Sequence, residues 1–290
     1  MKPGLGALVG GVILLASTSA RAGGPDFGYV YTAETEEAGE TEVSLWATDR
    51  SGKGEGHYDA QDYRIEVERG VTDRLQVAGY ANFAGHHIRN VGGEFERVDR
   101  DIAFQGFSAE FIYQLAAPSG KKLGVALYAE PAWSRISKVK GEEADEFELE
   151  MKAIVQKNFL ADRLVWATNL TLEPEWEREH EELATGLVEH RTEKELALEV
   201  ASGLSYRVAP KWWLGLEGRY HSAYPDWTHG LHRENYAVYA GPTVHYDAGN
   251  FSLAATWQPQ LFGSPNEGSS SLELDDHEKQ ELRLKLSYEF

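Results

Sequence analysis

Two histidines, His221 and His245, stand near hydroxyl residues, Ser205, Thr243 and Ser252, that could make them general bases for acyl transfer. Such a site needs a nucleophile, a base and an orienting group within hydrogen-bond reach, and no serine here sits in a recognisable nucleophile pattern. Enzyme activity is therefore not expected. A second group resembles metal ligands: Asp226, His229 and His232 in "DWTHGLH", and Asp275, Asp276, His277 and Glu278 in "LDDHE". Histidines three apart share an ion only if the segment bends like a helical turn, so His229, His232 and His277 are weak zinc or copper candidates. The third group is the largest. Arg64, Glu66, Glu68, Glu110, Glu130, Glu148, Glu150, Lys152, Glu173, Glu195, Glu199, Glu217, Arg219, Arg283 and Lys285 all alternate with apolar residues. Acids outnumber bases there by about two to one, and rings of carboxylates in a water-filled lumen favour cations.

Alternation needs strands, since period 2 sends neighbouring side chains to opposite faces of a sheet. Twelve segments of roughly ten residues show it, as barrel strands do. They are Thr41 to Thr48, Tyr58 to Arg69, Arg74 to Phe83, Phe104 to Leu115, Leu123 to Glu130 and Glu146 to Lys157. The other six are Leu164 to Glu173, Glu193 to Tyr206, Trp212 to His221, Tyr236 to Tyr246, Phe251 to Gln258 and Leu282 to Phe290. Short Gly-, Pro-, Asp- or Asn-containing turns such as "GVTD", "VAPK" and "DAGN" alternate with long connections at 49–57, 84–103, 131–145, 174–192, 222–235 and 259–279. Tight hairpins want those residue types. Even strand number, short turns on one side and long loops on the other predict an all-β, transmembrane, antiparallel up-and-down barrel, with the short turns periplasmic. The acid run "EPEWEREHEELATG" reads as a solvated external loop.

Other features agree. Lys2, the apolar stretch Leu5 to Ala16 and the small-x-small site Ala20-Arg21-Ala22 read as a secretory signal peptide over 1–22. That leaves 23–40 as a periplasmic N-terminal segment and 41–290 as the barrel. The chain has 28 basic and 47 acidic residues, a formal net charge of -19. Without Lys2 and Arg21 it is 26 against 47, or -21. Nucleic acid is excluded as a partner on that charge, since phosphate recognition needs clustered Lys and Arg. There is no cysteine, so no disulfide can staple an exported chain and no thiol can act. Tyr113, Tyr206, Trp212, Tyr246, Phe251 and Tyr288 fall at one set of strand ends, and Phe83, Trp133, Phe147, Tyr236 and Trp257 at the other, as two aromatic girdles.

The blocks "FGYVYTAETEEAGETEV", "YRIEVERGVTDRLQVAGYANF", "GLSYRVAPKWWLGLEGRY", "YAGPTVHY" and "WQPQLFG" resemble those of an uncharacterised family of Gram-negative outer-membrane β-barrel proteins. That resemblance spans almost the whole mature chain and implies an outer-membrane location, with no activity or residue set to carry over. The ending Tyr288-Glu289-Phe290 resembles the carboxy-terminal signal that the barrel-assembly machinery recognises. Expected partners are thus that machinery, outer-membrane lipid and lipopolysaccharide; no cofactor is expected. Function rests on the inward set: a narrow pore for cations or small solutes. The alternative is a plugged or structural barrel, its bases paired with its acids and its acidic loops holding divalent cations or lipopolysaccharide. A hydrolase is the third reading.

Overall fold

A computed structural model describes residues 27–54, 56–91, 97–182, 188–265 and 271–290. Residues 1–22, read from the sequence as a signal peptide, lie outside the described residues. Twelve antiparallel strands close on themselves in sequence order, with β1 hydrogen-bonded to both β2 and β12. They are β1 (Thr41–Ser51), β2 (His57–Thr72), β3 (Leu75–Arg89), β4 (Arg97–Ala116), β5 (Gly124–Ile136) and β6 (Glu143–Phe159). The circuit continues through β7 (Leu164–Glu182), β8 (Val188–Ala209), β9 (Trp212–Pro225), β10 (Asn235–Asp247), β11 (Phe251–Ser264) and β12 (Gln280–Glu289). Closure leaves no edge, so every wall strand has its backbone paired on both sides, as a hydrocarbon surround demands.

Register places the apolar set outside. Leu45 lies opposite Ile65 on one side and Leu286 on the other, and all three are exposed. Their sequence neighbours Ser44, Glu66 and Ser287 are buried inside. In a protein in water this outer surface would be a defect; here it is the lipid face. Both girdles form. On the long-loop side, aromatic rings run across four adjacent strands, with Phe107 and Trp133 5.2 Å apart and Phe147 and Trp176 5.8 Å apart. On the short-turn side, Trp212 meets Tyr246 at 4.7 Å, and Phe251 lies in register with Tyr288. Such rings suit the level of the lipid headgroups.

The strands run further than alternation alone indicated. The segment 174–192, expected as a loop, pairs down to Glu182 opposite Val188. The loops expected at 84–103 and 131–145 likewise narrow to 90–96 and 137–142. Backbone pairing is indifferent to side-chain polarity, so a hairpin can continue into water once the bilayer has ended and the apolar signal has stopped.

The larger difference is the N-terminal segment. Residues assigned to the periplasm by sequence, 23–40, are seated over 27–36 inside the barrel. The chain enters at the short-turn rim, where Gly39 N–H donates to Gly70 O (2.8 Å) and Gly70 N–H donates to Glu40 O (3.1 Å). A Cβ on Gly70 would stand 2.0 Å from Glu37 O, so only glycine lets the two backbones cross there.

Candidate functional site

The inner strap, residues 27–36, is extended chain with no strand partner of its own, so its amides and carbonyls need acceptors and donors from the wall. Side chains supply them in ascending order. Gln76 Oε1 on β3 accepts from Glu36 N–H (2.9 Å), and Gln156 Oε1 on β6 accepts from Ala33 N–H (2.8 Å). Gln114 Nε2 on β4 donates to Ala33 O (2.7 Å). Asn169 on β7 acts as a strand mimic: its Oδ1 accepts from Tyr31 N–H (2.7 Å) and its Nδ2 donates to Tyr31 O (2.9 Å). At the tip, Glu217 on β9 accepts from three successive amides, Gly28 (2.8 Å), Tyr29 (2.8 Å) and Val30 (3.2 Å), and from the Thr256 hydroxyl (2.9 Å).

Apolar packing reinforces these bonds. Phe27 and Val30 pack with Ala167 and Ala201, and Ala33 with Ile112, Ala126, Tyr128 and Ile154. Gly203 on β8 makes room, because a Cβ there would lie 2.7 Å from the Phe27 ring. The Tyr29 ring is held between two guanidiniums, Arg219 at 3.8 Å and Arg283 at 3.9 Å from its centroid. Cation–π contacts of this kind are strongest where water is excluded. The strap therefore reaches from the rim to the middle of the lumen and is anchored at both ends.

It divides the interior. On the short-turn side a chamber of about 140 Å³ is lined by the strap together with Glu66, Glu68 and Lys285. Toward the long loops a vestibule of about 730 Å³ is lined by Arg64, Glu130, Glu148, Glu150, Glu173, Glu195, Arg219 and Arg283 among others. Between them lies a polar layer. Arg64 pairs with Glu130 and lies 3.9 Å over the Tyr80 ring, and Glu130 also accepts from the Ser108 and Tyr128 hydroxyls. The Tyr80 hydroxyl sits 2.5 Å from Glu66 and 2.6 Å from Glu110. Arg219 donates to Gln258 (2.7 Å) and Glu281 (2.8 Å) and stands 3.6 Å from Glu199. Lys152 pairs with Glu150, and Lys285 with Glu42 (3.4 Å). Of the inward charged set, Glu217 binds the strap and Glu110 the Tyr80–Gln76 pair, and neither lines a chamber.

Two outer connections fold inward over the vestibule. Lys138, between β5 and β6, bridges to Glu148 (2.6 Å), and its carbonyl accepts from Arg50 Nη2 (2.6 Å). Residues 271–279, between β11 and β12, are clasped by Gln260, whose Nε2 donates to Glu273 O (2.7 Å) and Glu278 O (3.1 Å) and whose Oε1 accepts from Glu273 N–H (2.7 Å). His277 is buried against Asn235 Oδ1 (3.0 Å) and the His221 ring (5.2 Å), while the Lys53 ammonium is buried 3.9 Å from Glu278. His229 and His232 stand on an exposed turn. The carboxylate triads that geometry does assemble among the described residues are Glu36/Glu40/Glu289, Glu66/Glu68/Glu110 and Glu148/Glu173/Glu175, and none includes a histidine.

Burial gives this inward loop opposed proton linkages. It pushes the His277 imidazole down to about 3, with His221 and Lys53 adding repulsion, and lifts the Glu273 carboxyl to about 7. A depressed histidine withdraws support for the seated loop as pH falls below its free value near 6.5; a raised carboxyl withdraws support as pH rises from about 4.5 through 7. Glu273→Gln should therefore leave a loop that loosens on acidification, and His277→Gln one that tightens. A spin label on a cysteine at Ser271, in this cysteine-free chain, would read both slopes; equal slopes in the two variants would disprove the assignment.

The comparisons with known proteins fit this architecture. A family model described as "Family of unknown function (DUF6662)" matches residues 19–290. The chain is a member of the DUF6662 family. No curated protein matches the sequence. Among solved structures, this DUF6662 protein is similar to the COG4313 outer membrane channel from Pseudomonas putida F1. The identity is 12% and the TM-score 0.58, over 91% of this chain and 99% of that one. It is also similar to the β domain of the Bordetella autotransporter BrkA, at 10% identity and TM-score 0.55, over 87% and 100% of the two chains. The translocator domain of autotransporter NalP from Neisseria meningitidis follows at 11% and 0.52, over 88% and 90%. At these identities the likeness is one of fold, the closed antiparallel β-barrel that this chain shares with these outer-membrane proteins.

Proposed function

We propose that this DUF6662 protein is a narrow, cation-preferring pore of the outer membrane whose lumen is constricted by its own N-terminal strap. The observation that carries the reading is the charge of the vestibule wall on β6 and β7. Glu148, Glu173 and Glu175 bring carboxylate oxygens within 4.8 Å of one another, and all three line the vestibule with Glu146, Glu150 and Glu177. Lys138 and Lys140 answer only part of that charge, through Glu148 and Glu177. Desolvated like charges repel unless mobile cations collect beside them, which is how carboxylate-lined pores enrich cations.

The test is a reversal potential across a potassium chloride gradient, for refolded protein in a planar bilayer. Wild type is expected to favour potassium, and Glu148→Gln/Glu173→Gln/Glu175→Gln to shift the potential toward zero by most of its value. An unchanged potential in the triple variant refutes the reading. The strap favours a second one, a plugged structural barrel, which predicts silence in wild type and in the triple variant, and conductance only where the strap is removed.

A further inference from the structure

The vestibule is not acidic all round, and its asymmetry points to a class of solute. In a closed circuit of twelve strands, β6 and β7 lie diametrically opposite β12 and β1. The β6–β7 side presents Glu148, Glu173 and Glu175, while the β12–β1 side presents Arg283 and Arg50 to the same cavity. What matters is which of these charges is already matched. Arg50 is paired with Asp62 (2.7 Å) and Glu278 (2.8 Å). Arg283 is different: among the described residues its donors reach only neutral acceptors, Thr48 Oγ1 (2.9 Å) and Gly28 O (3.0 Å), and its face lies against Tyr29. Across the lumen, neither Glu173 nor Glu175 has a lysine or arginine within ion-pair distance among the described residues; Lys138, whose charge acts on both, makes its direct bridge to Glu148. One unmatched guanidinium thus faces unmatched carboxylates across about 730 Å³, a volume within the range of small-ligand sites.

We propose that the vestibule binds a small zwitterionic solute with separated charges, an ammonium group on the Glu173/Glu175 side and a carboxylate on Arg283. A simple cation would satisfy the acid wall and leave Arg283 unanswered, and a simple anion would meet the reverse. A molecule carrying both ends matches both walls, and its carboxylate suits the planar two-donor edge of a guanidinium. This assignment rests on the open acidic wall of the pore reading and names what that wall recognises.

The probes are ω-amino acids of increasing chain length, with the matched alkylammonium and alkylcarboxylate ions as controls, titrated into the refolded full-length mature protein by saturation-transfer NMR. At an optimal length the ω-amino acid should saturate at a concentration lower by about tenfold than either control, the order expected when a second charge-assisted contact is gained. Arg283→Met should erase that advantage and spare alkylammonium binding, with Arg283→Lys retaining part of it. Glu173→Gln/Glu175→Gln should weaken ω-amino acid and alkylammonium together. No advantage over alkylammonium at any length overturns the proposal, and so does an advantage that survives Arg283→Met in a folded barrel. The two readings fail separately: a cation-selective pore without zwitterion preference sinks only this one, and a non-conducting barrel that still prefers the zwitterion sinks only the pore.

Discussion

Deleting residues 27–36 is expected to raise single-channel conductance roughly tenfold or more, from a nearly closed lumen to one limited by the barrel wall. The strap crosses the interior from the rim to Glu217 and separates the two chambers with its own backbone and with Tyr29, Tyr31 and Phe27. Nothing in the wall depends on it for backbone pairing, because all twelve strands pair with one another. Water can replace the strap beside Gln76, Gln114, Gln156, Asn169 and Glu217, so the deletion should leave a folded barrel. A milder change tests the same point. Glu217→Ala leaves three strap amides without their acceptor, at about 1–3 kcal/mol for each that stays buried, which is enough to lift the tip and give flickering openings. Planar-bilayer recording, with heat-dependent gel mobility as the folding check, reads both variants. Unchanged conductance in a folded strap deletion would show that the constriction lies elsewhere.

Removing residues 280–290 is expected to abolish the barrel altogether. β12 pairs on one side with β1, from Glu289 opposite Glu42 to Gln280 opposite Ser51, and on the other with β11. Its end is also tied, with Phe290 N–H donating to Thr41 O (3.0 Å) and Asn250 Nδ2 donating to Glu289 O (2.9 Å). Without it, β1 and β11 would each expose an edge to hydrocarbon, where an unmet backbone group costs several kcal/mol. The truncated chain should show no heat-modifiable form and no protease-resistant core in detergent, whereas Phe290→Ala alone should keep both in vitro. A folded product from the truncation would require β1 and β11 to pair directly, contrary to the observed closure.

How much of this was legible in the sequence differs from element to element. The strands were plain wherever one face met lipid: Leu282, Leu284, Leu286 and Tyr288 alternate with Arg283, Lys285 and Ser287, and the structure turns those two sets outward and inward. The signal faded where the strands left the bilayer, as at 174–192, because polar residues on both faces carry no period. The inward charged residues could be named from alternation, yet not the partners that fix their roles. Glu217 looked like one more lumen glutamate, but it holds the strap tip. Gln76, Gln114, Gln156 and Asn169 carry no charge and do not stand out from the alternation, although uncharged amides at inward positions are the available clue to a buried backbone needing partners. The glycines at 70 and 203 were a second clue, since a glycine inside a strand marks a close approach.

The sequence by itself determined the closed antiparallel barrel, its lipid face, its aromatic girdles and the predominance of glutamate inside. These follow from local rules, in which side-chain direction alternates along each strand and the surroundings select one face for apolar residues. Only the tertiary structure decided that residues 27–36 return into the lumen, that Arg283 faces Glu173 and Glu175 from the opposite wall, and that the loop at 271–279 folds inward. Those relations join residues far apart in the chain through side-chain hydrogen bonds and charge matching across a cavity, and no periodicity along a single strand encodes which strand lies opposite.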